Sequence, residues 1–280
     1  MKIFKELGTP YRVSACIIVL MVLCAVFAPL AAPYDPTLVN TDEILQPPSV
    51  IHWLGTDALG RDILSRTIYG ARTSVAFAVT AAFCTMAVGL VLGMVSGYFG
   101  GAMDRAIQCL VCIFQGLPGM SLMIAIAAIL PENNFRILIA LTLTSWTGFS
   151  RIVRSEVIRI RSETYMEGIR SLGGGDFYIL RRYVFPNVLP VVVVLLMLRI
   201  GTSLLSASAL SYLGLGVAPP AADWGVMISD ARTYFRTYPM MIVAPGFCIT
   251  LFCLSINLMG DGLRKVWQRK GSAGGKERFQ

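Results

Sequence analysis

Charge is what this chain lacks most. Only 14% of its 280 residues are Asp, Glu, Lys or Arg, against about 25% in soluble domains. The deficit, with 55% hydrophobic residues and a mean hydropathy of +0.67, indicates an integral membrane protein. Histidine is nearly missing as well, His52 being the only one. One imidazole builds no metal site alone and serves general-base catalysis poorly; surface or interface packing is the reading for His52. No Gly-x4-Gly-Lys-Ser/Thr occurs, since Gly275-Lys276 is followed by Glu277, so the P-loop route to nucleotide phosphates is closed. All seven cysteines lie in apolar runs, which implies no disulfide framework. Cys109 and Cys112 read as small buried packing residues on a membrane helix rather than as a redox pair. The chain shows no internal repeat, and its apolar runs hold no Asp, Glu or His. A secondary carrier would carry inverted repeats and embedded relays. A membrane enzyme would cluster acid, base or metal residues at one interface. The absences weigh against both classes.

What the chain does have is long apolar runs. A spanning helix needs about 20 apolar residues, and six candidates occur: residues 13–32, 73–103, 106–131, 137–150, 183–222 (interrupted by Arg199) and 237–260. The fourth has 14 residues between Arg136 and Arg151; it counts as a span if both arginines snorkel to the interfaces. The first run is longer than a signal-peptide core, and Pro33 directly follows Ala31-Ala32, so an uncleaved first helix is expected. With the N-terminus inside, 17 of the 24 Lys and Arg fall in cytoplasmic segments, six fall outside and Arg199 lies within a span. The positive-inside rule therefore places both termini in the cytoplasm. The same distribution accounts for the net charge of +8 without a nucleic-acid partner.

Along the chain, Pro33, Pro36, Pro47 and Pro48 mark an extended outer segment. Residues 52–66 then look amphipathic, with Asp57/Arg61 and Asp62/Arg66 spaced as helical pairs, each worth about 0.2–0.5 kcal/mol. They read as a salt-bridged helix at the outer interface. Gly89, Gly93 and Gly97 recur every fourth residue, which suits close helix packing. Gly116-Leu117-Pro118-Gly119 predicts a kink. A break there either lines a transport path or is tolerated packing. Arg199 in mid-span costs roughly 2.5–3.5 kcal/mol and calls for a water-filled cavity or an acidic partner. Residues 211–239 form an aromatic outer segment, consistent with an interfacial anchor carrying a short re-entrant helix.

The segment between the fourth and fifth spans is basic and amphipathic. It reads as two helical pieces broken by Gly173-Gly174-Gly175, with Asp176 placed to cap the second. A helix lying on anionic lipid would explain its composition. Its spacing says more. Glu167-Gly168-Ile169-Arg170-Ser171-Leu172-Gly173 is followed after nine residues by Tyr183-Val184-Phe185-Pro186. This resembles the EAA loop of ABC importer permeases, E-A-A-x3-G-x9-I-x-L-P. Gly168 and Ile169 stand for the alanines and Phe185 for the leucine, while Glu167, Gly173 and Pro186 hold the anchor positions. His52-Trp53-Leu54-Gly55-Thr56-Asp57, with Gly60-Arg61-Asp62 and Ser65-Arg66, resembles the outer segment of the peptide/nickel branch of that family. Residues 223–232 resemble its last outer loop.

The resemblance covers about residues 33–264 and implies a C-type permease subunit. The implied fold is an all-α membrane protein, a type I ABC importer transmembrane domain of six transmembrane helices with a cytoplasmic coupling-helix loop. Residues 1–72 would form the tail, first helix and outer segment. Residues 73–264 would form the transmembrane domain, with its EAA loop at 163–186, and 265–280 a cytoplasmic tail. The implied location is the cytoplasmic (inner) membrane. The implied partners are a second homologous permease, two ATP-binding subunits and a substrate-binding protein. ATP and Mg would sit on those partners, leaving no cofactor or metal on this chain. Glu167, Gly168, Arg170, Leu172, Gly173 and Pro186 would couple to the ATPase. Asp57, Arg61, Asp62, Asp223, Trp224 and Asp230 would lie on the binding-protein side. Arg199 and Pro118 are candidates for the translocation path. Cargo would be di- or oligopeptides, or nickel as a chelate.

Overall fold

A computed structural model describes residues 8–133 and 135–277, with side chains through Trp267. Lys2, Lys5 and Arg278, counted above among the cytoplasmic cations, lie outside the described residues. The described chain is helical: α1 (Thr9–Val26), α2 (Ile63–Phe99), α3 (Gly101–Gly116), α4 (Gly119–Ile129) and α5 (Phe135–Arg161). Next come α6 (Thr164–Ser171), α7 (Asp176–Ile179), α8 (Phe185–Leu210), α9 (Trp224–Ala231) and α10 (Met240–Glu277). α10 thus runs on as helix into the segment assigned to the cytoplasmic tail.

Four helical stretches are long and apolar enough to cross a bilayer: α1, α2, the run from Asp176 to Leu215 that contains α8, and α10 up to Trp267. α3 and α4 supply a fifth crossing if taken together, but they meet at 92°. The expected kink is therefore a full break. Leu117 is extended (φ −93°, ψ 141°) and Pro118 caps α4, because proline drives the residue before it out of helical geometry.

The sixth expected span, 137–150, lies within α5. That helix has 27 residues, about 40 Å at 1.5 Å per residue, but its second half is too polar for α5 to count as a crossing by composition. Its apolar half also differs from expectation at one end. Arg136 does not snorkel; it is buried, and its guanidinium donates to the backbone oxygens of Leu215 (3.0 Å), Gly216 (3.0 Å) and Gly214 (3.3 Å). Those carbonyls are freed where α8 unwinds through a π turn and Gly214 adopts φ +82°. Arginine's five donors suit such a cluster.

α5 finds its partner in α2. A Cβ placed on Gly93 would lie 2.6 Å from Ser150 O and 2.8 Å from Val153 Cβ, and Gly89 and Gly97 abut α5 one turn away on each side. The four-residue glycine spacing is thus a helix–helix seam. Asp104 closes the end of the seam beyond Gly97, taking two hydrogen bonds of 2.6 Å from the Arg154 guanidinium. By contrast, α3 buries only Ile107 and Val111. Cys109 and Cys112, expected to be buried, are exposed on it, since no described residue covers that face.

Candidate functional site

The loop from Glu163 to Pro186 is built as an anchored platform. α6 carries Glu167, Gly168 and Arg170. It ends in a Schellman motif: Gly173 N–H donates to Arg170 O (2.9 Å) and Gly174 N–H to Ile169 O (3.1 Å), with Gly173 at φ +84°. This gives the anchor glycine a physical role, since a side chain there would strain the left-handed residue. Met166, Ile179 and Val184 point inward and pack in one cluster with Tyr98 of α2, Val153, Val157 and Ile160 of α5, and Val188 of α8. Pro186 is the second residue of α8, directly after the π turn of Leu180–Val184 within one continuous helical run.

Asp176 does not cap α7 through its side chain. Gly175 is the N-cap residue, and Asp176 instead accepts the Tyr98 hydroxyl at 2.7 Å. Arg170 lies 5.4 Å over the Tyr98 ring, within cation–π range. The outward surface of the loop carries large apolar side chains among its charges: Leu172 is 90% exposed and Phe177 77%, with Tyr165, Tyr178 and Arg170 also exposed. Glu167 and Gly168 share this exposure.

The outer residues form a second cluster. Residues 52–62 are turns rather than the expected helix, and α2 begins only at Ile63. Gly55 (φ +81°) and Gly60 (φ +70°) hold the turns. The Asp57/Arg61 pair forms as expected (2.7 Å), but inside a buried network that also includes Arg66, which lies 3.4 Å from Asp57 and donates to Pro36 O. Arg66 does not pair with Asp62. Asp62 caps α2 through Ser65 N–H (2.7 Å) and meets His52 Nδ1 at 2.9 Å. His52 is buried, not at the surface, with Glu43 at 3.3 Å from Nε2.

Asp223 caps α9, accepting from the N–H groups of Gly225 and Val226, and takes the Ser74 hydroxyl at 2.7 Å. Trp224 is fully buried, and its indole donates to Thr67 O at 2.9 Å. Both side chains thus latch α9 to the start of α2. Of the six residues expected on this side, Asp230 alone is exposed, 3.5 Å from Arg61. Sequence reasoning missed the Ser74, Thr67 and Tyr98 partners. The Asp before Trp224 was a visible cap signal; the others left no local mark.

Pro118 stands at the α3–α4 break and Arg199 near the middle of α8, so the structure does not bring them together with either cluster.

A family model described as the binding-protein-dependent transport system inner membrane component matches residues 89–270. A second, the N-terminal TM domain of oligopeptide transport permease C, matches residues 12–48. The glutathione transport system permease protein GsiD of Escherichia coli O6:K15:H31 (strain 536 / UPEC) is 39% identical over 258 residues, covering 92% of this chain and 85% of the relative. The oligopeptide transport system permease protein OppC of Bacillus subtilis (strain 168) is 39% identical over 260 residues, with the same coverage. Among solved structures, an inward-facing conformation of the MetNI methionine ABC transporter superposes with a TM-score of 0.60 at 17% identity, over 73% of this chain and 97% of that one.

Proposed function

The chain belongs to the family of binding-protein-dependent transport system inner membrane components, and from that premise we propose that it passes di- or oligopeptides through the cytoplasmic membrane. It is a permease subunit of an ABC importer of the peptide/nickel branch, a transport subunit rather than an enzyme. The peptide reading is supported by relatives named for glutathione and oligopeptide transport.

The proposed assembly pairs this chain with a second homologous permease, two ATP-binding subunits and a substrate-binding protein. ATP and Mg are held by the ATP-binding subunits, and both termini of this chain face the cytoplasm. The observation that carries this reading is the loop surface, where Leu172 and Phe177 stand almost fully exposed on a platform whose underside is packed. Large apolar side chains on a water-facing, rigid loop indicate a docking site.

In the proposed mechanism the ATP-binding subunits take hold of Glu167, Gly168, Arg170 and Leu172. Gly173 fixes the end of the docking helix, and Pro186 starts the span that must move with it. Closure of the ATP-binding subunits shifts α6 and α7 as one body, because Met166 and Ile179 share a packed cluster with Tyr98, Val157 and Val188. α2, α5 and α8 follow, and the conduit switches from inward-open to outward-open; such coupling needs an element with two packings. On the outer side, Asp57, Arg61, Asp62, Asp223 and Trp224 brace the cap internally, and Asp230 presents to the binding protein. Arg199 and Pro118 border the path.

Affinity isolation of the tagged chain from solubilised membranes tests this. Recovery of two P-loop ATPases and a second permease is expected; recovery of the chain alone, under conditions that preserve known complexes, would overturn it.

A further inference from the structure

Arg199 lies 14 residues beyond Phe185 and 11 before Leu210, so it stands roughly 21 Å and 17 Å from the two ends of α8. Snorkelling serves arginines near helix ends, and this one is too deep for it. Among the described residues no hydrogen bond or ion pair reaches its guanidinium, and its Nε is buried without a partner. The apolar runs of the chain hold no Asp or Glu that could neutralise it. A cation at this depth persists where it faces a water-filled cavity or meets an anion from elsewhere.

Two cavities lie along α8 on either side of it. The inner one, about 510 Å3, is bounded by Ile152 of α5, by Pro190, Val194 and Leu198 of α8, and by Arg264 and Trp267 of α10. The outer one, about 380 Å3, is bounded by Met120 just past the Pro118 break, by Ser208 and Tyr212, and by Gly225 of α9. Leu198, Thr202, Leu205, Ala209 and Tyr212 follow at three- and four-residue steps, so one face of α8 runs from the inner cavity to the outer one. Thr202, Leu205 and Tyr212 are exposed on that face. Arg199 sits beside it, one turn below Thr202 and between the two cavities.

Resting on the peptide reading above, we propose that Arg199 is the binding group for the cargo's carboxylate as a peptide passes along this face of α8. Every unmodified linear peptide carries a terminal carboxylate, and a guanidinium fork matches a carboxylate in bidentate geometry. The contact replaces the hydration that the anion loses between the cavities. With a single guanidinium between the cavities and Arg264 at the inner one, the anion is held in passage rather than stored, since conduction requires binding weak enough to release.

The test uses the reconstituted complex with its binding protein saturated. Uptake is compared for one peptide with a free C-terminus and for its C-terminal amide, in the wild type, Arg199→Gln and Arg199→Lys. The glutamine variant is expected to lose roughly tenfold or more of free-acid uptake, to keep amide uptake near the wild-type rate, and to be partly restored by lysine. Equal loss for both peptides, or no loss for either, would overturn the proposal. So would an Arg199→Gln complex that fails to assemble until a carboxylate of the second permease is neutralised, because the counter-ion would then be the partner's. If the wild-type complex hydrolyses ATP yet takes up neither peptide, the peptide reading falls and this proposal with it. The other outcomes, in a complex that does carry peptide, sink this proposal alone.

Discussion

Tyr98, at the C-terminal end of α2, donates its hydroxyl to Asp176 of the loop at 2.7 Å, across 78 positions of sequence. The bond joins the loop to a helix, α2, other than the two that flank it in the chain. Tyr98→Phe removes one hydrogen bond, worth about 0.5–1.5 kcal/mol. The variant is expected to insert normally and to move less cargo per ATP. Parallel assays of uptake and ATP hydrolysis in proteoliposomes check this; an unchanged ratio would remove the bond from the coupling path.

Gly173 and Glu167 separate the shape of the loop from its surface. Gly173→Val forces a β-branched residue to φ +84°, a strain of roughly 1–2 kcal/mol, and should impair docking by loosening the end of α6. Gly173→Asn should be milder, because asparagine tolerates that backbone region. Glu167→Lys leaves the fold alone and reverses one exposed charge. Both Gly173→Val and Glu167→Lys are expected to insert yet lose cargo-stimulated ATP hydrolysis. Normal stimulation in either would count against the docking role of these residues.

The α2–α5 seam has no room for a side chain at Gly93. Gly93→Leu should destabilise the protein by about 1–3 kcal/mol, as overpacking does. Thermal unfolding in detergent should show a lowered midpoint. Gly148 on α5, whose Cβ would meet nothing within 4 Å, is the control, and Gly148→Ala should leave the midpoint in place.

On the outer face, burial divides one group of acidic residues into two. Asp57→Ala leaves Arg61 and Arg66 buried without their shared carboxylate, and breaking a buried pair costs about 3–5 kcal/mol. Its expected signature is loss of folded protein. Asp230→Ala, at an exposed position, should keep expression and alter only the response to the binding protein. Equal expression of the two variants would contradict the network.

The parts of this structure that could be read in the sequence are those whose cause is local. Four of the six apolar runs marked helices long and apolar enough to span, while 106–131 breaks in two and 137–150 falls within the partly polar α5. Gly173 was legible because its left-handed backbone favours glycine, whereas Glu167 and Pro186 were legible only through their spacing from it. The Asp57/Arg61 pair was right in partner and wrong in setting: Gly55 and Gly60 turn the backbone, so the second pair becomes an Asp62 cap and a buried Arg66. Arg136 looked like a snorkelling arginine because its acceptors, Gly214 to Gly216, lie about 80 positions away. Asp176 looked like a cap because its true partner, Tyr98, sits on another helix. Local chemistry was legible; partners supplied by tertiary packing were not.

The central claim is that the Glu167–Pro186 loop receives an ATP-binding subunit. The most direct measurement places a photoreactive amino acid at Leu172, the most exposed large apolar residue of the loop, and irradiates native membranes. The account predicts a cross-linked product containing a P-loop ATPase, lost when Glu167→Lys is added. A product containing only lipid, or one with the ATPase that persists unchanged in the Glu167→Lys background, would contradict it.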